Sequence, residues 1–165
     1  MKKLILVRHA ESSSPNKMLE DYERPLKKTG VSDAEKIGQH LKKNAYIPDY
    51  ILTSGAQRTL ETAQIISEQL FDKSVVINNN KLIYGASVKD MINLIKNFDE
   101  NYHTIMIVGH NPTITLSVNQ ITNVNIDHVP TLGTSIIKYD INQWEDLKEV
   151  GELVEFIYPK KLNLI

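Results

Sequence analysis

The sequence predicts an α/β sandwich built around a largely parallel sheet, and three observations lead there. Short apolar runs recur at residues 4–7, 50–52, 75–77 and 105–108, too short for helices and without the polar alternation of a half-solvated strand. Between them, apolar residues return three or four positions apart, the spacing of a helix with one buried face. No repeat, low-complexity stretch or linker interrupts the alternation, so the 165 residues are read as one domain.

Element by element, residues 4–7 form the first strand, and Val31, Ala34, Ile37 and Leu41 mark the first helix. Residues 50–52 form the second strand, followed by a helix marked by Ala56, Leu60, Ala63 and Ile66. Residues 75–77 are the third strand, and Val88, Met91, Ile95 and Phe98 mark the third helix. Residues 105–108 are the fourth strand. The fourth helix carries Ile114, Val118 and Ile121, with Asn111 as its cap and Pro112 as its first residue. Residues 135–139 and 153–158 resemble two further strands, joined by a polar connection that contains Trp144.

Composition excludes several classes. A net charge of −1 and the lack of any basic run longer than a lysine pair argue against nucleic acid as a partner. With no cysteine, the chain has no disulfide framework and no thiolate nucleophile or metal ligand. The N-terminal apolar run is too short for a signal peptide and is broken by Arg8 and His9, and no stretch approaches a bilayer span. A soluble, cytoplasmic protein with no membrane partner is expected. Of its basic residues, sixteen are lysines and three are arginines, Arg8, Arg24 and Arg58. Arginine offers a planar fork that grips phosphate or carboxylate with two hydrogen bonds, so these three are candidates for specific anion contacts.

Ligands of open α/β sheets bind beyond the carboxyl ends of the strands. Arg8-His9-Ala10-Glu11 follows the first strand, Thr53-Ser54-Gly55-Ala56-Gln57-Arg58-Thr59 the second, and Gly109-His110-Asn111-Pro112 the fourth. Two histidines and two arginines thus fall on one sheet edge, and the start of the fourth helix adds backbone N–H groups, which makes an anion pocket suited to phosphate. A neutral imidazole is a competent nucleophile towards phosphorus, and a second one can stabilise the phosphoryl oxygens. Taken singly, each piece also has a structural reading: the Gly-His-Asn-Pro turn as a cap, and the Thr53 segment as a helix start with Ser54 as N-cap. A metal site on His9 and His110 finds no third ligand at recognisable spacing. His40, His103 and His128 are read as surface or packing residues.

Together these pieces resemble the histidine phosphatase superfamily, the phosphoglycerate-mutase-like fold, and are most similar to its small SixA-type phosphohistidine phosphatases. The matching segments are Leu6-Val7-Arg8-His9-Ala10-Glu11, Arg24-Pro25-Leu26-Lys27-Lys28-Thr29-Gly30, Thr53 to Thr59 with Thr62-Ala63, the Leu82-Ile83-Tyr84-Gly85-Ala86-Ser87 loop and Val108-Gly109-His110-Asn111-Pro112. Thr134-Ser135-Ile136 and the late Tyr158-Pro159-Lys160-Lys161-Leu162 also match the small subgroup. The resemblance implies a three-layer α/β/α sandwich with a mostly parallel mixed sheet. It implies His9 as nucleophile, passing through a phosphohistidine intermediate, with Arg8, Arg58 and His110 holding the phosphoryl group. Arg24 and Asn111 are expected to touch substrate, and no metal or organic cofactor is implied.

Two departures shape the expected substrate. Many members carry a general acid in the loop after the third strand, whereas residues 78–87 here contain no carboxylate. Tyr84, Asp90 and Glu11 are the remaining candidates for a proton donor. An alkoxide leaving group needs a proton, while a phosphoramidate leaves more easily, so a P–N bond is the expected target. The short span between His9 and the second motif, largely one helix, predicts an open site suited to phosphohistidine on a partner protein such as a histidine-containing phosphotransfer domain. The alternatives are a phosphatase for small sugar or nucleotide phosphates and a module that binds a phosphorylated ligand without turning it over. A mutase is disfavoured because it needs a closed site.

Overall fold

The computed structural model describes residues 1–148 and 150–163. Six strands, β1 (Lys2–Arg8), β2 (Tyr50–Thr53), β3 (Asn78–Asn79), β4 (Thr104–Gly109), β5 (Thr134–Tyr139) and β6 (Glu152–Ile157), form one sheet in the order β3-β2-β4-β1-β5-β6. β1, β2, β3 and β4 run parallel, and β5 pairs antiparallel with both β1 and β6. The helices are α1 (Lys28–Lys43), α2 (Gln57–Leu70), α3 (Val88–Lys96), α4 (Thr113–Thr122) and the short α5 (Pro159–Leu162).

The layering follows from the strand period of two. Leu4 and Leu6 of β1, with Ile105 and Ile107 of β4, face α3 and α4, where they meet Met91, Ile95, Ile114 and Val118. Ile5 and Val7, with Met106 and Val108, face the other way, onto Ala34, Ile37, Ala63 and Ile66 of α1 and α2. The central strands are therefore apolar at nearly every position because both faces are covered, and the chain is a three-layer sandwich around a mostly parallel mixed sheet.

Three expectations change. Residues 75–77 are not a strand; pairing begins at Asn78, opposite Leu52 of β2, and lasts two residues. Val75 and Ile77 pack against the α1/α2 face while Val76 points to solvent, so this apolar run marks packing at the sheet margin and not a ladder. α3 ends at Lys96, before Phe98, whose ring instead packs beside Tyr50 and Trp144. Trp144, placed by sequence in a polar connection, is a core residue and donates its indole N–H to the Tyr102 carbonyl at 2.9 Å. Among the described residues no helix is long and apolar enough to cross a membrane.

Candidate active site

Sheet register brings the two histidines together. Arg8 is the last residue of β1 and lies opposite Gly109, the last of β4, so His9 and His110 leave adjacent strands side by side. The His9 amide donates to the Gly109 carbonyl at 3.1 Å, and the two rings stand 5.4 Å apart. β2 flanks β4 on the other side with Thr53 opposite Val108, which delivers Ser54 to His110: Ser54 Oγ lies 2.7 Å from His110 Nε2.

Hydrogen bonding fixes the useful form of His9. Its Nδ1 is 2.7 Å from the Ala10 carbonyl, an atom that only accepts, so Nδ1 carries the proton and Nε2 keeps its lone pair. Burial, reinforced by the charges of Arg58, Arg8 and Arg24, pulls the His9 pKa down to about 4 against the opposing pull of the Ala10 bond, and the ring is neutral at pH 7. The loop backbone around it is held in turn, because the Ala10 amide donates to Thr62 Oγ1, which donates to the Arg58 carbonyl.

His110 is oriented by a hydroxyl chain. Thr59 Oγ1 gives its proton to the Ala56 carbonyl at 2.7 Å, so Ser54 Oγ donates to Thr59 and accepts from the Ala56 amide. Ser54 then has no proton left for His110, and Nε2–H of His110 is the donor to Ser54. Nδ1 of His110 is left buried and unpaired. Burial first, then Arg58 and His9, lower the His110 pKa to about 3. Ser54 is thus not the N-cap of α2; Ala56 holds that position and Ser54 holds His110 instead.

Of the six buried side-chain N and O atoms without a partner among the described residues, three are here: Arg8 Nε, Arg58 Nε and His110 Nδ1. Buried polar groups are normally satisfied, so two unpaired guanidinium N–H donors beside one histidine pair fit an anion with several acceptor oxygens, which His110 Nδ1 would join as a donor only on protonation. Arg8 is anchored through Nη1, which donates to the Val129 carbonyl at 3.1 Å and to His128 Nε2 at 3.2 Å. A guanidinium has no acceptor, so His128 must accept there; the residue read as uninformative supports Arg8. Arg58, almost fully buried, spends Nη1 and Nη2 on the Asp21 carbonyl and carboxylate at 2.7 and 3.0 Å and leaves Nε unpaired.

Asp21 is the main residue that sequence reading missed. It lies in a 3-10 turn (Asp21–Glu23) of the long loop between β1 and α1, which is tied down where Ser12 bridges Leu26 and the Lys27 amide meets the Glu11 carbonyl. Its carboxylate takes the Tyr84 hydroxyl, two N–H groups of Arg24 and one of Arg58. The Tyr84 bond above all, with Arg24 and Arg58, holds Asp21 well below the usual carboxylate range. Tyr84 in turn sets its ring edge-on to His110 at 5.4 Å. Tyr22 of the same turn reaches the Ser54 carbonyl at 3.0 Å by passing over Gly55, where a Cβ would stand 2.1 Å from the Tyr22 hydroxyl. Gly55 also has φ +87°, the left-handed region that favours glycine.

The remaining expected residues sort differently. Arg24 is turned to Asp21 and to Ser12 and Ser13 of its own loop, at the margin of the site. Asn111 spends its carboxamide on the Val129 carbonyl and on the amide and hydroxyl of Thr115. α4 begins at Thr113, with Pro112 as N-cap; since Pro112 has no N–H and Asn111 takes the Thr115 amide, the helix start presents fewer free amides than its sequence suggests. Glu11 is held by Thr29 and Lys27, and Asp90 closes the capping box of α3 with Ser87, so of the three candidate proton donors only Tyr84 stands in the site. Among the described residues no three His, Asp or Glu side chains cluster as metal ligands.

A family model described as histidine phosphatase superfamily (branch 1) matches residues 4–80. An uncharacterised chloroplastic protein of Arabidopsis thaliana is 30% identical over 154 residues, covering 88% of this chain and 70% of that protein. An uncharacterised protein of Mycobacterium tuberculosis is 26% identical, covering 93% of this chain and all of its own. Among solved structures, a protein assigned as the phosphohistidine phosphatase SixA of Agrobacterium tumefaciens is 25% identical with a TM-score of 0.82, covering 96% of this chain and 98% of that one. A protein histidine phosphatase SixA complexed with tungstate shares the fold, with a TM-score of 0.81 over 99% of both chains at 15% identity.

Proposed function

This chain belongs to the histidine phosphatase superfamily, and we propose that it removes phosphate from phosphohistidine on a partner protein, with His9 as the nucleophile. The observation that carries the reading is the state of His9: a neutral ring whose proton is fixed on Nδ1, whose Nε2 keeps its lone pair, and which stands beside His110 and the unpaired Nε–H groups of Arg8 and Arg58. Phosphoryl transfer asks a protein for position and charge stabilisation more than for covalent chemistry, and this site supplies both.

In the first step the Nε2 lone pair of His9 forms a bond to phosphorus. The P–N bond to the substrate imidazole breaks, and its electron pair stays on the departing nitrogen. A substrate imidazole protonated on its far nitrogen leaves neutral, and the positive charge passes to His9, whose Nδ1–H remains on the Ala10 carbonyl. In the second step water oxygen bonds to phosphorus, the N–P bond breaks, and His9 returns neutral as dihydrogen phosphate departs. No external proton is needed in either step. That balance suits a site in which Glu11 and Asp90 are both engaged elsewhere.

The test is turnover. Phosphate release from a phosphorylated histidine-containing phosphotransfer domain is expected, exceeding that from any sugar or nucleotide phosphate in a panel and lost in His9→Ala. High turnover of one small ester with none on the phosphoprotein would replace this reading with a metabolite phosphatase.

A further inference from the structure

Asp21 and Tyr84 stand outside the set of groups that would hold the phosphoryl unit, yet they are tied to it on two sides. Arg58 gives both Nη atoms to Asp21 and keeps a buried, unpaired Nε, and its charge lowers the pKa of both His9 and His110, so Asp21 is joined to the histidine pair through that guanidinium. Tyr84 bridges the other way, its ring against His110 and its hydroxyl donated to Asp21. The Asp21 side chain is 49% exposed, at the mouth. In-line displacement by His9 expels the leaving group from the face of the phosphoryl unit opposite His9.

We propose that Tyr84 and Asp21 form a leaving-group subsite that selects substrates whose departing group begins as a cation, as an N-phosphorylated imidazolium does. Four N–H or O–H donors already occupy the Asp21 carboxylate, so it acts through its charge and through Tyr84. The Tyr84 proton is committed to Asp21, which leaves the phenol oxygen as an acceptor for the N–H on the far nitrogen of a departing imidazole. Measured from free substrate, a fixed negative charge attracts a leaving group that is still partly cationic in the transition state and repels one that is becoming anionic, so it raises kcat/KM for the first and lowers it for the second. Asp21 is held ionised across the working range, so its charge is permanent. Tyr84 would touch substrate; Asp21 is a positioning residue whose charge tunes selectivity. The inference rests on His9 being the nucleophile and gives a physical reason for a P–N preference beyond the lack of an acid.

The experiment compares kcat/KM for two small probes at neutral pH in the full chain: N-phosphoimidazole, whose leaving group starts cationic, and p-nitrophenyl phosphate, whose leaving group ends anionic. In Asp21→Asn the phosphoimidazole-to-ester ratio is expected to fall by about tenfold, the scale of removing one unit charge a few ångströms from the leaving group in a half-solvated site. In Tyr84→Phe it falls by roughly threefold or more, for the lost acceptor, and Asp21→Glu restores part of the Asp21→Asn loss. A parallel fall in both probes would reduce Asp21 to a support for Arg58 and overturn the proposal, as would an unchanged ratio, or a wild type that does not turn over phosphoimidazole. Failure on phosphoproteins with a ratio that still shifts would instead overturn the partner-protein reading and leave the subsite standing.

Discussion

Strand β1 carries a basic side chain at each end, and the two ends are finished differently. Lys2 is fully buried, and its amino group donates to the carbonyls of Glu100 and Tyr102 and lies over the Trp144 ring at 5.5 Å. Arg8, six residues on, is anchored at one nitrogen by Val129 and His128 but keeps a buried Nε with no partner. The first arrangement closes a sheet end; the second holds a donor in readiness. Because a buried, unsatisfied group costs stability, its retention at one end and not the other separates the working edge of the sheet from the structural one.

Substitutions can break that contrast in order of effect. His9→Ala is expected to lower kcat/KM by at least about a thousandfold, since it removes the group that makes the bond, and steady-state kinetics with folded protein checked by circular dichroism measures it. Arg58→Lys, which keeps charge but loses the fork that serves Asp21 and the site together, is expected to cost on the order of a hundredfold in kcat/KM. Lys2→Met acts at the other end: it leaves the Glu100 carbonyl without its donor and is expected to cost about 1–3 kcal/mol, a fall of roughly 3–10 °C in Tm, with kcat/KM within about twofold of wild type. The smallest effect is at His128, where Ala is expected to weaken kcat/KM about threefold by freeing Arg8, and Gln, which keeps an acceptor, to recover it.

The same contrast has a pH signature. His9 and His110 titrate near 4 and 3 in the folded chain, chiefly through burial, against about 6.5 when unfolded. Below about pH 6.5 the unfolded chain therefore binds protons that the folded one refuses, so stability falls as pH drops from there towards 4. A Tm series from pH 8 to 4.5 should show that decline, and His110→Asn should flatten part of it. kcat/KM should correspondingly lack an acid limb at the ordinary imidazole pH, because His9 stays neutral down to about pH 4 in the free protein.

What was readable in the sequence follows the same division. Arg8, His9, Arg58 and His110 could be placed because each directly follows a buried strand or opens the helix after it, where backbone geometry leaves little freedom. Asp21, Tyr22 and His128 could not, since they lie on long connections without periodicity and reach partners 32 to 120 positions away in the chain. For Ser54 the sequence leaves a cap open as one reading, because a serine before a helix fits that role; only the register of β2 against β4 assigns it to His110. Residues 75–77 failed for a related reason: apolar composition reports burial, and at the sheet margin burial and strand pairing part company.

The central claim is that His9 Nε2 takes the phosphoryl group. The most direct measurement is brief exposure to N-phosphoimidazole, an alkaline quench that preserves phosphohistidine, and mass-spectrometric mapping of the modified residue. Phosphate on His9, absent from His9→Ala and accumulating further when water attack is slowed, is the predicted result. Phosphate on His110 or on any other side chain, or steady turnover with His9 never modified, would contradict it.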